Sequence, residues 1–123
     1  PDGARVYSAN TGSGDVSVID AAAPKVIATV PIGRGVNQVR VSPDGGSLWI
    51  AVGAEGAVAL VDTVSHRVGA RIPVGQGPHG IAFTSDGKHV YVTNSDSDDV
   101  SVIDVAGLKV IETIPVGKAP ACL

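Results

Sequence analysis

The side chains of this 123-residue chain that could do chemistry are three histidines, a few scattered arginines and one run of acidic oxygen donors. His79 stands in Gly77-Pro78-His79-Gly80, just ahead of an apolar run, where an imidazole could meet a metal, a haem or a substrate carbonyl. His66 and His89 fall in different local settings, and Cys122 has no base beside it, so neither a three-ligand zinc or copper set nor a nucleophile–base–orienter set can be built. Asn94-Ser95-Asp96-Ser97-Asp98-Asp99 begins like a calcium loop, with oxygen side chains at alternate places. Its sixth place is Asp99 instead of Gly and its twelfth is Val105 instead of a bidentate Glu, so it reads as a polar hairpin turn. The pairs Gly12/Gly14 and Gly53/Gly56 precede no helix and imply no phosphate-binding loop. No catalytic residue and no metal site are assigned.

The elements that must position these residues are set by an internal repeat. Asp-Gly recurs at Asp2-Gly3, Asp44-Gly45 and Asp86-Gly87, 42 residues apart, which divides the chain into units 1–42, 43–84 and 85–123. Residues 1–39 laid on 85–123 agree at 19 of 39 positions, including Asp15-Val-Ser-Val-Ile-Asp20 against Asp99-Val-Ser-Val-Ile-Asp104. Each unit carries four short Val/Ile-rich runs separated by turn residues, as in all-β folds. With 76–117 as the pattern they are A (80–84), B (88–93), C (100–103) and D (110–116). The Asp-Gly turn makes an A–B hairpin. Pro31, Pro73 and Pro115 recur in D, and a residue that cannot donate to a ladder belongs on an edge. B and C are apolar at nearly every position (Leu48-Trp-Ile-Ala-Val52, Val58-Ala-Leu-Val61), which requires cover on both faces of the sheet. A repeated four-stranded unit covered on both faces is a β-propeller blade. The expected fold is therefore all-β, one partial β-propeller over 1–123 with three four-stranded antiparallel blades. The first blade lacks its innermost strand, and Pro120-Ala-Cys-Leu123 begins another.

Composition agrees. Sixteen glycines and eight prolines against four aromatics describe strands and tight turns, and no apolar run approaches the roughly 18 residues of a membrane span. A net charge of −3 with no Lys/Arg block leaves no footprint for nucleic acid.

Tyr91-Val92-Thr93-Asn94, Asp99-Val-Ser-Val-Ile-Asp104 and Ile114-Pro115-Val116-Gly117 resemble the YVTN family of β-propeller repeats across the whole chain, and more loosely the haem-binding propellers of haem-d nitrite reductases. The resemblance implies a propeller of the periplasm or cell surface, in a family that includes binding proteins and cofactor-bearing enzymes alike.

Strand order A-B-C-D from the centre outward sorts the polar residues. The D–A segments bring Arg34, Asn37, Gln76, His79 and Lys118 to one face, and the B–C loops add Asp96 and Asp98. Arg40 alone puts a charge inside an innermost strand, where it could reach an anion in the channel. The Asp-Gly turns and the pairs Asp20/Lys25, Asp62/Arg67 and Asp104/Lys109 go to the opposite face as turn caps and cross-strand ion pairs. The leading expectation is a non-catalytic binding or scaffold propeller without a cofactor, taking a protein, glycan or small ligand on the D–A/B–C face. The alternatives are part of a haem-d or copper oxidoreductase touched by His79 or Arg40, and a sub-propeller that self-associates, as a homodimer, to complete a ring.

Overall fold

The computed structural model describes residues 5–22 and 25–118, and within them eleven strands form three antiparallel sheets. The first sheet holds β1 (Arg5–Asn10), β2 (Asp15–Asp20) and β3 (Lys25–Pro31). The second holds β4 (Val36–Val41), β5 (Ser47–Val52), β6 (Ala57–Asp62) and β7 (Val68–Pro73). The third holds β8 (Pro78–Phe83), β9 (His89–Asn94), β10 (Asp99–Asp104) and β11 (Lys109–Pro115). Each strand lies within two residues of its expected place, and the only helical turn among the described residues is a 3-10 turn at Gly53–Glu55. By the 42-residue spacing β1, β5 and β9 are the B strands, so no A strand flanks β1 among the described residues. The Asp2-Gly3 turn and the strand expected from Pro120 lie outside the described residues.

The middle sheet explains why its strands are apolar throughout. On β5, Leu48, Ile50 and Val52 join a core shared with the first sheet, while Trp49 and Ala51 join a core shared with the third. β6 divides the same way, Ala59 and Val61 to one side and Val58 to the other. The period-2 alternation is intact, but both phases meet a neighbouring sheet. Trp49 is 1% exposed and meets Phe83 of the third sheet edge-on, with centroids 5.6 Å apart. Burying one side chain of this size stabilises by about 1.5–3 kcal/mol. The D strands β3, β7 and β11 are the most exposed, whereas β4 and β8 sit against one another at the opposite sheet edge, as innermost strands must.

Irregularities recur with the repeat. All three C–D pairings slip at one place, between Val18 and Ile19, Ala59 and Val61, and Val102 and Ile103. Both A–B pairings slip near their start, between Val36 and Gln38 and between Pro78 and Ile81. These second bulges lie in the strands that wall the channel. No helix among the described residues is long and apolar enough to cross a membrane.

Candidate functional site

Pairing register brings the ends Asn10/Asp15/Pro31, Val36/Val52 and Asn94/Asp99/Pro115 to one side, which is the D–A/B–C face. Its inner part is the seam between β4 and β8. Asn37 and His79 occupy equivalent places within the two A-strand bulges, where the lost ladder pairing re-aims a side chain. Asn37 Nδ2 donates to the Pro78 carbonyl at 2.9 Å, Gln38 Oε1 accepts from the Ile81 N–H at 2.7 Å, and Arg40 Nε donates to the Ile81 carbonyl at 3.1 Å. Three side chains of β4 thus satisfy the unladdered edge of β8. Arg40 is otherwise exposed and lies four residues along the strand from Val36, roughly 13 Å at about 3.3 Å per residue, so it belongs to the channel wall and not to the loop mouth. His79 is exposed near the start of β8, at that mouth.

The remaining expected residues spread along the face. Arg34 lines a cleft of about 630 Å³ between residues 11–14 and 31–35. Gln76 is exposed; its N–H donates to Ser97 Oγ at 3.0 Å and its carbonyl accepts from the Asp96 N–H at 3.0 Å. The Asp96 carboxyl fills the space over Gly77, where a Cβ would come within 2.5 Å of it. Asp98, at φ 56°, takes the left-handed place that Gly14 and Gly56 hold in the other two loops. Its carbonyl accepts from Val116 as theirs accept from Ile32 and Val74, all at 2.9–3.0 Å. Lys118 is exposed. Asn37, Arg40 and His79 are thus gathered on one strand pair, Gln76 and Asp96 in one loop pair, and Arg34 stands apart in the cleft.

Two features had no counterpart in the sequence reading. Arg71 on β7 forms an ion pair with Glu55 at 2.6 Å and donates to the Ile32 carbonyl at 2.5 Å, strapping the outer strand of the middle sheet to the segment entering it. Nothing repeats at the equivalent positions, Thr29/Ser13 and Thr113/Ser97, so the repeat could not reveal it. The second is a polar core at the B–C end of the outer sheets. Asn94 Nδ2 bonds Asp99 and Ser101 at 2.8 and 2.9 Å, and Asn10 Nδ2 bonds Asp15 and Ser17 at 2.8 and 2.7 Å. Asn94 and Asp99 of the calcium-like run are therefore committed to this hairpin, with Ser97 also donating to Asp99 at 3.0 Å. Among the described residues no three His, Cys, Asp or Glu side chains gather in a way that could hold a metal ion.

The opposite face is built of turns. Asp44 accepts from Ser42 and the Gly46 N–H, and Asp86 from Thr84 and the Lys88 N–H; these bonds hold both carboxyls below their ordinary range. Asp62 is lowered by the Ser65 and Val64 N–H groups it caps. Asp104 likewise accepts from Gly107, so the turn's own N–H groups, not Arg67 or Lys109, bind these two carboxylates. His66 is held at φ 58° in the same turn as Asp62, with Nε2 buried and unpartnered.

Residues 6–121 match the family model described as the Cytochrome D1 heme domain. No curated protein matches the chain by sequence. Among solved structures, hydrazine synthase of Kuenenia stuttgartiensis superposes with a TM-score of 0.94 at 27% identity, over 99% of this chain and 36% of that one. The dihydro-heme d1 dehydrogenase NirN, solved in complex with DHE, gives 0.79 at 24% identity over 95% of this chain and 25% of that one. U3-55K gives 0.88 at 20% over 99% and 39%. The last two likenesses speak to fold alone. The chain spans about a third of the hydrazine synthase chain it matches. The family match corrects the expectation of no cofactor, since the family is a haem-bearing one. It favours the haem-related alternative and leaves the non-catalytic scaffold reading without support. The cofactor was illegible locally because a propeller channel collects its residues from many blades, each contributing one or two side chains and no contiguous motif.

Proposed function

Because the chain belongs to the cytochrome D1 heme domain family, we propose that it is a segment of a haem-carrying β-propeller whose channel mouth, on the D–A/B–C face, addresses the cofactor. The observation that carries this reading is the exposed His79 at the bulge of the innermost strand β8. The donor set fits a haem: an accessible imidazole at the mouth, and an exposed guanidinium at Arg40 on the wall, of the kind that pairs with carboxylates. Bound haem would supply one-electron chemistry at iron. The chain's own part is to hold and orient it, His79 from the mouth and Arg40 from the wall, with Asn37 and Gln38 fixing the spacing of the two strands. The YVTN-like phrasing of Tyr91–Asn94 fits this as a packing signature, and a periplasmic or cell-surface location belongs to the same reading. The test is the absorption spectrum and iron content of the natural protein. A tetrapyrrole band that weakens or shifts in His79→Ala is expected; a colourless, iron-free protein would return the assignment to a scaffold.

A second reading, that the three sheets are completed into a ring by further sheets of their own kind, rests on one apolar row. Val6, Ile19 and Val26 face one another across the first sheet on its open side, and Val6 and Val26 are 53% and 58% exposed. Their counterparts 42 residues on are Leu48, Val61 and Val68, the first two at most 1% exposed under the first sheet. The row is shaped for the cover its repeat receives. Self-association of this chain would supply it, and sedimentation equilibrium at micromolar concentration, with a folded monomer as the contrary result, decides that form of the reading.

A further inference from the structure

The cleft between residues 11–14 and 31–35 lies beside the Glu55–Arg71 pair, and the two features together place an uncompensated cation. Arg34 is the only charged residue lining the cleft among the described residues. It forms no ion pair or hydrogen bond with any described residue. The carboxylate of Glu55 packs directly on Gly33, the residue before Arg34, so closely that a Cβ there would overlap it. Arg71 engages Glu55 at 2.6 Å and, with its other nitrogen, the Ile32 carbonyl at 2.5 Å.

The walls are fixed as well. Ile32 and Gly33 donate to the Gly14 carbonyl at 2.9 and 3.0 Å, and Thr11 Oγ1 donates to the Val36 carbonyl at 2.7 Å. Gly14 at φ 71° and Gly35 at φ 75° leave no room for a Cβ, which would come within 2.5 Å of the Gly33 carbonyl and 2.9 Å of the Ala54 N–H nitrogen. The cleft is therefore bordered by preset backbone with one free guanidinium at its edge. Its hydroxyls, on Thr11 and Ser13, are already spent as donors to Val36 and Asp15, at 2.7 and 2.9 Å.

We infer that this cleft binds a small singly charged carboxylate through Arg34, and that Arg71 acts as a positioning residue by keeping Glu55 from neutralising it. A planar guanidinium in a preformed setting suits a carboxylate better than it suits a neutral sugar or a cation. The inference needs no haem, so it and the haem reading stand or fall separately.

The test is titration of the full isotopically labelled chain with sodium acetate, against sodium chloride at equal ionic strength. Saturable amide shifts are expected at Gly12, Ser13 and residues 33–35. Arg34→Gln should abolish saturation while keeping signal dispersion. Arg71→Met, outside the cleft, should weaken acetate about threefold, the size of one exposed ion-pair interaction, and Arg71→Met with Glu55→Gln should restore it. Shifts that do not saturate, or that survive Arg34→Gln, overturn the site. An Arg71→Met variant that binds acetate like the parent overturns the role given to Arg71.

Discussion

Asn37 and Pro78 are 41 residues apart in the chain and lie on different sheets, yet Asn37 Nδ2 reaches the Pro78 carbonyl at 2.9 Å. With Gln38 and Arg40 on the backbone of Ile81, this bond makes the contact between innermost strands a polar seam, while the cores on either side of the middle sheet are apolar. Gln38→Ala leaves the Ile81 N–H without an acceptor and should cost about 1–2 kcal/mol. Gln38→Glu keeps an acceptor and should cost less. Urea unfolding of both variants checks the order.

The polar cores of the outer sheets predict a non-additive set. Asn94→Ala strips Asp99 and Ser101 of their shared donor in a buried setting, at a cost of about 1–3 kcal/mol. The middle sheet carries Val52, Ala57 and Ala59 at the same three places, all buried. Copying that set into the third sheet as Asn94→Val, Asp99→Ala and Ser101→Ala should therefore destabilise less than Asn94→Ala alone. A triple variant less stable than the single one would show that the polar core supplies more than mutual satisfaction.

Leu108 ends its turn at φ 52°, where a side chain is costly, and is 40% exposed, so little packing is lost on removing it. Leu108→Gly should raise stability by about 0.5–1 kcal/mol, the left-handed penalty relieved less the extra entropy of an unfolded glycine. A lower melting temperature in that variant would contradict this account of the turn.

Asp44, Asp62 and Asp86 all have lowered pKa values in the folded chain because hydroxyl and N–H donors of their turns favour the ionised form. Folded values below the unfolded one mean the unfolded chain binds protons first as pH falls. Their contribution is complete above the ordinary aspartate value near about 3.9 and is lost as pH drops through the folded values. The urea midpoint should therefore be flat above about pH 5 and fall below about pH 4. Asp86→Asn should lower it at neutral pH and make the acid fall shallower.

Much of this fold was legible because a repeat triples every local signal. The Asp-Gly turns, the D-strand prolines and the two-sided apolar runs at Leu48–Val52 and Val58–Val61 each implied a strand or its cover, and the sheets realise them. The A-strand bulges were not legible, since Asn37 and His79 look like ordinary residues of a strand start until the partner register is known. Nor was the Glu55–Arg71 strap, which occurs once and joins the turn at Gly53–Glu55 to strand β7, 16 residues on. Asn94 and Asp99 were legible as part of a polar hairpin turn, because the run fails the calcium pattern at its sixth and twelfth places; the bonds that commit Asn94 to Asp99 and Ser101 needed the register. The haem-d alternative came from the likeness of whole repeats and not from a ligand set, because no local run of residues carries one.

That both faces of the middle sheet are occupied has a consequence for cooperativity. Stability in such a row is close to a sum of nearest-neighbour couplings, and the middle sheet has two where each outer sheet has one. In these three sheets taken alone, fraying therefore proceeds inward from the two outer ones. Leu48, Ile50 and Val58 sit where the last protected amides reside, while the mouth residues from His79 to Lys118 ride on an outer sheet that can loosen without dissolving the rest.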